Sequence, residues 1–239
     1  MKELWENAKD NVSFLLVCAL TFAGIFLLAK LFERFCMPKE RRANGARYVA
    51  YVGMFSAIAG VLMLLEIPLF FAPSFYKMDL SELPVMLCAF YLGPVAGVTA
   101  ELLKVLIKLL LKGTTTAFVG DFANFLVGSM YILPASAIYH ADKSKRNSVI
   151  GMAVGVVCMT VAGSAFNAFY LIPKFAQLFD LPVSVIVSMG SAVNGRIVSV
   201  STLVLYAVVP FNLLKGVVDS ALTFLLYKRL KTVFFKEKS

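Results

Sequence analysis

The sequence predicts an all-α membrane protein, a polytopic helical bundle. Three observations carry that reading. Hydrophobic residues fill 60% of 239 positions and charged residues only 15%, with a mean hydropathy of +0.82. A soluble domain of this size needs far less apolar surface. Apolar runs of about 20 residues recur, each long enough to cross a hydrocarbon layer roughly 30 Å thick. The short alternating segments of a membrane β-barrel are absent.

The same composition bounds function. The net charge of +9 raises the question of nucleic acid, but its placement argues against it. Lys and Arg gather in three short segments beside apolar runs, as the positive-inside rule requires. Cys18, Cys36, Cys88 and Cys158 are scattered without a paired spacing and read as small apolar helix residues. His140 stands alone beside a basic loop, so no metal site is expected. No phosphate-binding loop, HExxH or GxSxG motif occurs. Neither an enzyme nor a chain that hydrolyses ATP by itself is expected.

Residues 1–11 are polar, with Lys2 and Lys9 set against Glu3, Glu6 and Asp10. Asn11 to about Leu31 is the first span. Its start lacks the basic excess of a cleaved signal peptide. Arg34, Lys39, Arg41, Arg42 and Arg47 follow as a cytoplasmic loop. Tyr48 to Leu65 is the second span, with Gly53, Ser56, Ala57 and Gly60 on one face. Small residues at that spacing admit another helix closely, whether from this chain or from a partner.

Residues 67–82 form an outside loop rich in aromatics and prolines. Phe70, Phe71, Phe75 and Tyr76 suit either a cover for a flat ligand or an interfacial belt. Ser81 is placed to cap the next helix, with Pro84 in its first turn. Glu82 to Leu92 is short for a span, and Gly93-Pro94 breaks it. Val95 to Leu111 follows, carrying Glu101, Lys104, Lys108 and Lys112 three to four residues apart. Such a stripe in a membrane helix points inward or to water.

After the polar turn Gly113-Thr114-Thr115-Thr116, Ala117 to Tyr139 is the fifth span, with Asp121 and Asn124 near its outer end. Lys143, Lys145 and Arg146 make the second basic loop. Val149 to Ile172 is the sixth span, with Gly151, Gly155 and Gly163 for close packing and Asn167 near its outer end. Residues 173–197 form an outside segment, with an apolar stretch from Leu181 to Met189 as a surface helix. The seventh span runs from about Val198 to Leu226 and leads to a basic tail. The three inside segments hold 5, 3 and 5 Lys and Arg, and the outside segments 2, 1, 0 and 2. With seven spans the N-terminus is expected outside and the C-terminus in the cytoplasm of a cell-membrane protein.

The stretch Pro210-Phe211-Asn212-Leu213-Leu214-Lys215-Gly216 organises the rest. Asn212 and Lys215 share a helix face, and a lone Lys in a bilayer costs roughly 2.5–3.5 kcal/mol. Lys215 therefore either pairs with Asp219, four residues on, or grips something polar inside the bundle. Asp79, Asp121, Asn124, Asn167 and Asn212 all fall towards the outer half. That suits an apolar pocket with a few placed hydrogen-bond groups, and a flat heterocycle as ligand. A proton relay through Glu101 and Asp121 is the alternative, in a stand-alone secondary carrier.

Met78-Asp79-Leu80-Ser81-Glu82-Leu83-Pro84, Leu92-Gly93-Pro94-Val95-Ala96-Gly97 and Glu101-Leu102-Leu103-Lys104 occur in order. Gly120 to Gly128, Phe166 to Pro173 and Pro210 to Gly216 continue the set. From about Arg47 to Leu230 this resembles the riboflavin-binding S-component of energy-coupling factor (ECF) transporters, RibU type. The resemblance implies a six-helix core over 47–232, an extra N-terminal transmembrane helix over 1–46 and a basic tail over 233–239. It implies riboflavin as transported ligand, with FMN or another vitamin open, and no catalytic cofactor. It implies a membrane-embedded coupling subunit (EcfT-like) carrying two cytoplasmic ATPases, with no nucleic acid. By the same likeness Asn167, Asn212 and Lys215 hydrogen-bond the flavin. Asp79, Asn124, Lys104 and Tyr76 are the supporting candidates, and Gly53, Ser56, Ala57 and Gly60 are the partner face. The family often has alanines where Gly53 and Ser56 stand here, and the segment 174–205 is longer than usual.

Overall fold

The computed structural model describes residues 2–38, 45–73, 75–114, 116 and 118–234, with side chains described between residues 12 and 227. Lys39, Arg41 and Arg42 of the first basic loop, Thr115, Ala117 and the tail from residue 235 lie outside the described residues. So do the side chains of Lys228, Arg229 and Lys231.

The expected helices appear in the expected order. α1 spans Lys2–Cys36 and α2 Gly45–Met63. Two-residue strands β1 (Ile67–Pro68) and β2 (Lys77–Met78) pair antiparallel and close the loop between α2 and α3, the outer loop of the expected topology, into a hairpin. α3 (Glu82–Leu92) and α4 (Pro94–Lys112) follow. Gly93 between them adopts φ 113°, a conformation that side-chain-bearing residues avoid. Pro94 then sits at the start of α4, where its missing N–H costs nothing. α5 is Val119–Ala141 and α6 Lys145–Phe166. Lys145 and Arg146 thus belong to the first turn of α6, because Ser144 caps it by accepting from the Asn147 N–H.

α6 passes through a π turn, Asn167–Leu171, into α7 (Ile172–Leu178). α8 (Val183–Ser191) is the surface helix expected over Leu181 to Met189, shifted by two residues. α9 (Val200–Leu203) enters a second π turn, Val204–Val208, which leads into α10 (Val209–Phe234). Each π turn lies just before a proline, Pro173 or Pro210. A proline ring clashes with the carbonyl four residues back, and widening the turn relieves that clash.

Five helical stretches among the described residues are long and apolar enough to cross a membrane, and α3 is a shorter apolar helix. α4 falls outside that set because of its charged stripe. The chain is a multi-pass membrane protein. α5 and α6 pack closely through glycine: a Cβ on Gly151 would stand 2.6 Å from the Ala135 carbonyl oxygen. One core joins α2, α3, α4, α5, α6 and α10 through Phe90, Tyr139 and Tyr227. α1 packs on α4 and α5, with Phe22 against Phe125 at 4.5 Å and Phe22 edge-on to Phe122. Its Glu33 accepts the Val95 N–H at 3.3 Å, at the start of α4. A third cluster joins the outer loop to α7, α8 and the second π turn through Ala72, Ala176, Ile186 and Ala207.

Candidate functional site

Beneath that third cluster lies a cavity of about 860 Å³ including its mouth. Its walls come from the outer loop (Phe75, Tyr76, Lys77), α5 (Asn124, Val127), α7 (Phe175) and α8 (Ile186). The first π turn contributes Asn167, α10 contributes Phe211, Asn212 and Lys215, and Glu82 lines it from α3. The lining is aromatic and apolar with three amides set into it, one each from α5, the first π turn and α10.

Those amides differ in what they are free to do. Asn167 is held on both sides: its amide donates to the Gly163 carbonyl at 2.8 Å, and its oxygen accepts from the Tyr76 hydroxyl at 2.7 Å. Asn124 donates to the Gly120 carbonyl at 3.1 Å, leaving its oxygen for other use. Asn212 is 4% exposed and, among the described residues, its side chain makes no hydrogen bond. A buried amide without a partner is costly, so its capacity is available to a ligand. It lies close against Gly163, where a Cβ would meet the Asn212 nitrogen at 2.9 Å. Gly163 therefore makes room for this side chain.

Lys215 does not pair with Asp219. Its ammonium stands 3.1 Å from Asp79 Oδ2 and 3.5 Å from Glu82 Oε1. Asp79 is fixed in turn by the Ser81 N–H at 2.9 Å and by the Ser81 hydroxyl. Ser81 thus turns its hydroxyl to Asp79 instead of capping α3, which has no side-chain cap. Burial pushes the Asp79 carboxyl up, but Lys215, Lys104 and the Ser81 bonds outweigh it and hold it below the usual range. Burial raises the Tyr76 phenol. Lys104 sits behind the cavity, fully buried, 2.9 Å from Glu82 Oε1 and 2.6 Å from Glu101 Oε1.

The expected residues separate accordingly. Tyr76, Asn124, Asn167, Asn212 and Lys215 line one cavity. Asp79 and Lys104 stand one layer behind it, as the groups that hold Lys215 and Glu82. Asp121 pairs with Lys108 at 2.7 Å, so Glu101 and Asp121 have different partners and form no direct relay. Of the four loop aromatics, Phe75 and Tyr76 reach the cavity, while Phe70 is 92% exposed. Glu101, Lys104 and Lys108 point inward as expected, and only Lys112 is partly solvated.

The small-residue face of α2 divides. Gly53 and Ala57 lie on its open side, and a Cβ at Gly53 meets nothing within 4 Å. Ser56 is buried and donates to the Val52 carbonyl. Gly60 packs on Ile107 of α4, 2.5 Å from its Cβ position. Sequence reasoning missed Glu82, Phe175, Phe211 and Ile186 as cavity residues. Glu82 carried a readable signal, an acid opening an otherwise apolar helix; Phe211 looked like an ordinary span residue, and Phe175 and Ile186 fell in the segment expected outside the membrane.

The model of the ECF transporter substrate-specific component matches residues 47–227. The riboflavin transporter RibU of Staphylococcus aureus (strain TCH60) is 36% identical over 179 residues, covering 75% of this chain and 87% of that protein. The riboflavin transporter FmnP of Bacillus subtilis (strain 168) is 28% identical over 189 residues, covering 79% and 94%. A solved structure, described as the S component of a bacterial ECF transporter, superposes with a TM-score of 0.62 at 33% identity. It covers 80% of this chain and 98% of that one.

Proposed function

This chain belongs to the substrate-specific components of ECF transporters, and from that premise we propose that it captures riboflavin for uptake. It is a transport component, and its work is binding. The observation that carries the ligand is the cavity itself: apolar and aromatic walls, three amides from separate helices, and a buried Asn212 with no internal partner. An isoalloxazine ring offers a flat apolar body and an edge of carbonyls and ring nitrogens. Asn212 and Asn124 take that edge, and Tyr76 and Phe211, packed on each other with ring centroids 5.5 Å apart, form one aromatic wall for the ring to lie against. Lys215, kept in place by Asp79, provides a donor. A flat apolar ring would leave these groups unbonded, at about 1–3 kcal/mol each, which sets the selectivity.

In this reading residues 47–232 form the six-helix binding domain, with 1–46 an added membrane helix and 233–239 a cytoplasmic tail. The cavity opens outside, the N-terminus lies outside and the C-terminus in the cytoplasm. An EcfT-like coupling subunit with two ATPases drives release. The open side of α2 around Gly53 and Ala57 is the docking face, whereas Ser56 and Gly60 serve packing within the chain.

The test is titration of riboflavin fluorescence with the purified protein. Quenching is expected in the wild type, with affinity at least tenfold lower in Asn212→Ala, about 1.4 kcal/mol, at unchanged thermal stability. Absence of quenching, with a shift in melting temperature caused by another vitamin, transfers the site to that ligand. Gly53→Leu has room for its side chain, so it should bind normally and fail in uptake by the assembled transporter. Normal uptake places the docking face elsewhere. Uptake by the chain alone in proteoliposomes would instead favour a secondary carrier.

A further inference from the structure

The buried charges do not balance. Among the described residues the interior holds five carboxyl groups, on Asp79, Glu82, Glu101, Asp121 and Asp219. Against them stand three ammonium groups, on Lys104, Lys108 and Lys215. Two negative charges would remain uncompensated inside a membrane-embedded bundle, where an unpaired charge is expelled or neutralised. The hydrogen bonds identify which two groups are in excess. Asp79, Glu82 and Asp121 each accept from a lysine. Asp219, 1% exposed, has neither oxygen in a hydrogen bond, and Glu101, 0% exposed, has only a 2.6 Å ion contact with the Lys104 ammonium that Glu82 already occupies.

The surroundings of Glu101 add a second observation. Its Oε1 and Glu82 Oε1 both stand against the one Lys104 ammonium, at 2.6 and 2.9 Å. Both carboxyls crowd the bare backbone of Gly128, where a Cβ would strike Glu101 and stand 2.9 Å from Glu82 Oε1. Two carboxylates so close repel, whereas one proton between them becomes a hydrogen bond. The other charged and titratable groups around this point are Asp79 from the outer loop, Tyr131 from α5, and Lys215 and Asp219 from α10. None adds a positive charge beyond those counted. No three His, Cys, Asp or Glu side chains among the described residues converge as a metal site.

We propose that Glu101 and Asp219 are held as neutral carboxylic acids, Glu101 sharing its proton with Glu82 beside Lys104, directly behind the pocket. The bound species is a proton at each site, taken up when the chain folds into the bilayer. This inference stands apart from the choice of vitamin, because charge and geometry carry it without a ligand.

Infrared difference spectroscopy on the full chain in detergent tests it, since a carboxylic acid shows a carbonyl band that a carboxylate lacks. At neutral pH, Glu101→Gln and Asp219→Asn should each remove part of that band. Each should move the melting temperature by less than about 3 °C, because a neutral isostere replaces a neutral group. Glu82→Gln, which replaces an ionised partner of Lys104, should lower it by more. The proposal is overturned if either variant leaves the band intact. It is equally overturned if Glu101→Gln fails to fold or loses as much stability as Glu82→Gln.

Discussion

Two lysine–carboxylate networks hang from the same outer loop, and they make a controlled contrast. In one, Glu66 takes Lys77 of β2 and Lys112 at the end of α4, each at 2.7 Å, with side chains 23–43% exposed. In the other, Asp79 and Glu82 take Lys215 and Lys104 at 2.9–3.1 Å, with side chains no more than 6% exposed. With Lys104–Glu101 included, the buried contacts run from 2.6 to 3.1 Å and bracket the exposed ones. Distance therefore says little about what each network holds together. Water already satisfies the exposed charges, whereas the buried ones depend on partners within the protein. The exposed network tethers the hairpin; the buried one fixes the groups that face the cavity.

The sharpest way to break the contrast is Lys104→Met. It leaves Glu82 only the 3.5 Å contact with Lys215 and takes the ammonium from Glu101, and unfolding in detergent should show a loss of about 3–5 kcal/mol. Asp79→Asn should come next. It frees Lys215 from its anchor, so riboflavin affinity should fall together with stability, by about 3 kcal/mol for the broken pair. Glu66→Gln should cost no more than about 1 kcal/mol and leave binding almost unchanged. A large loss there would make the hairpin tether the stronger network and reverse the comparison.

Acid titration sharpens it further. Burial pushes the Glu66 carboxyl up, but hydrogen bonds from Lys112 and Lys77 outweigh it and hold it below its usual value. Asp79 is likewise depressed. A carboxyl lowered in the folded state contributes stability above its unfolded value, near 4. That contribution is lost as pH falls through the lower folded value. Stability should therefore be flat in these two terms from neutral to alkaline pH and decline only below about pH 4. Adding 1 M salt at neutral pH, where screening extends over about 3 Å, should weaken the Glu66 tether and spare the buried network.

By itself, the sequence determined the class, the order of the helices and the inward stripe of α4. Each follows from a local rule: apolar length against bilayer thickness, a Gly-Pro break, and charges at helical spacing. It also placed Asn167, Asn212 and Lys215 correctly as inward groups, because polar residues in apolar runs have few other places to go. Tertiary structure alone decided who holds whom. Lys215 finds Asp79, 136 residues away, and leaves Asp219, the neighbour that helical spacing offers. Asn167 is taken up by Tyr76 while Asn212 stays free, and the α2 face splits between packing and an open side. Partner choice depends on where different helices bring their side chains in three dimensions, and periodicity along one helix carries no record of that.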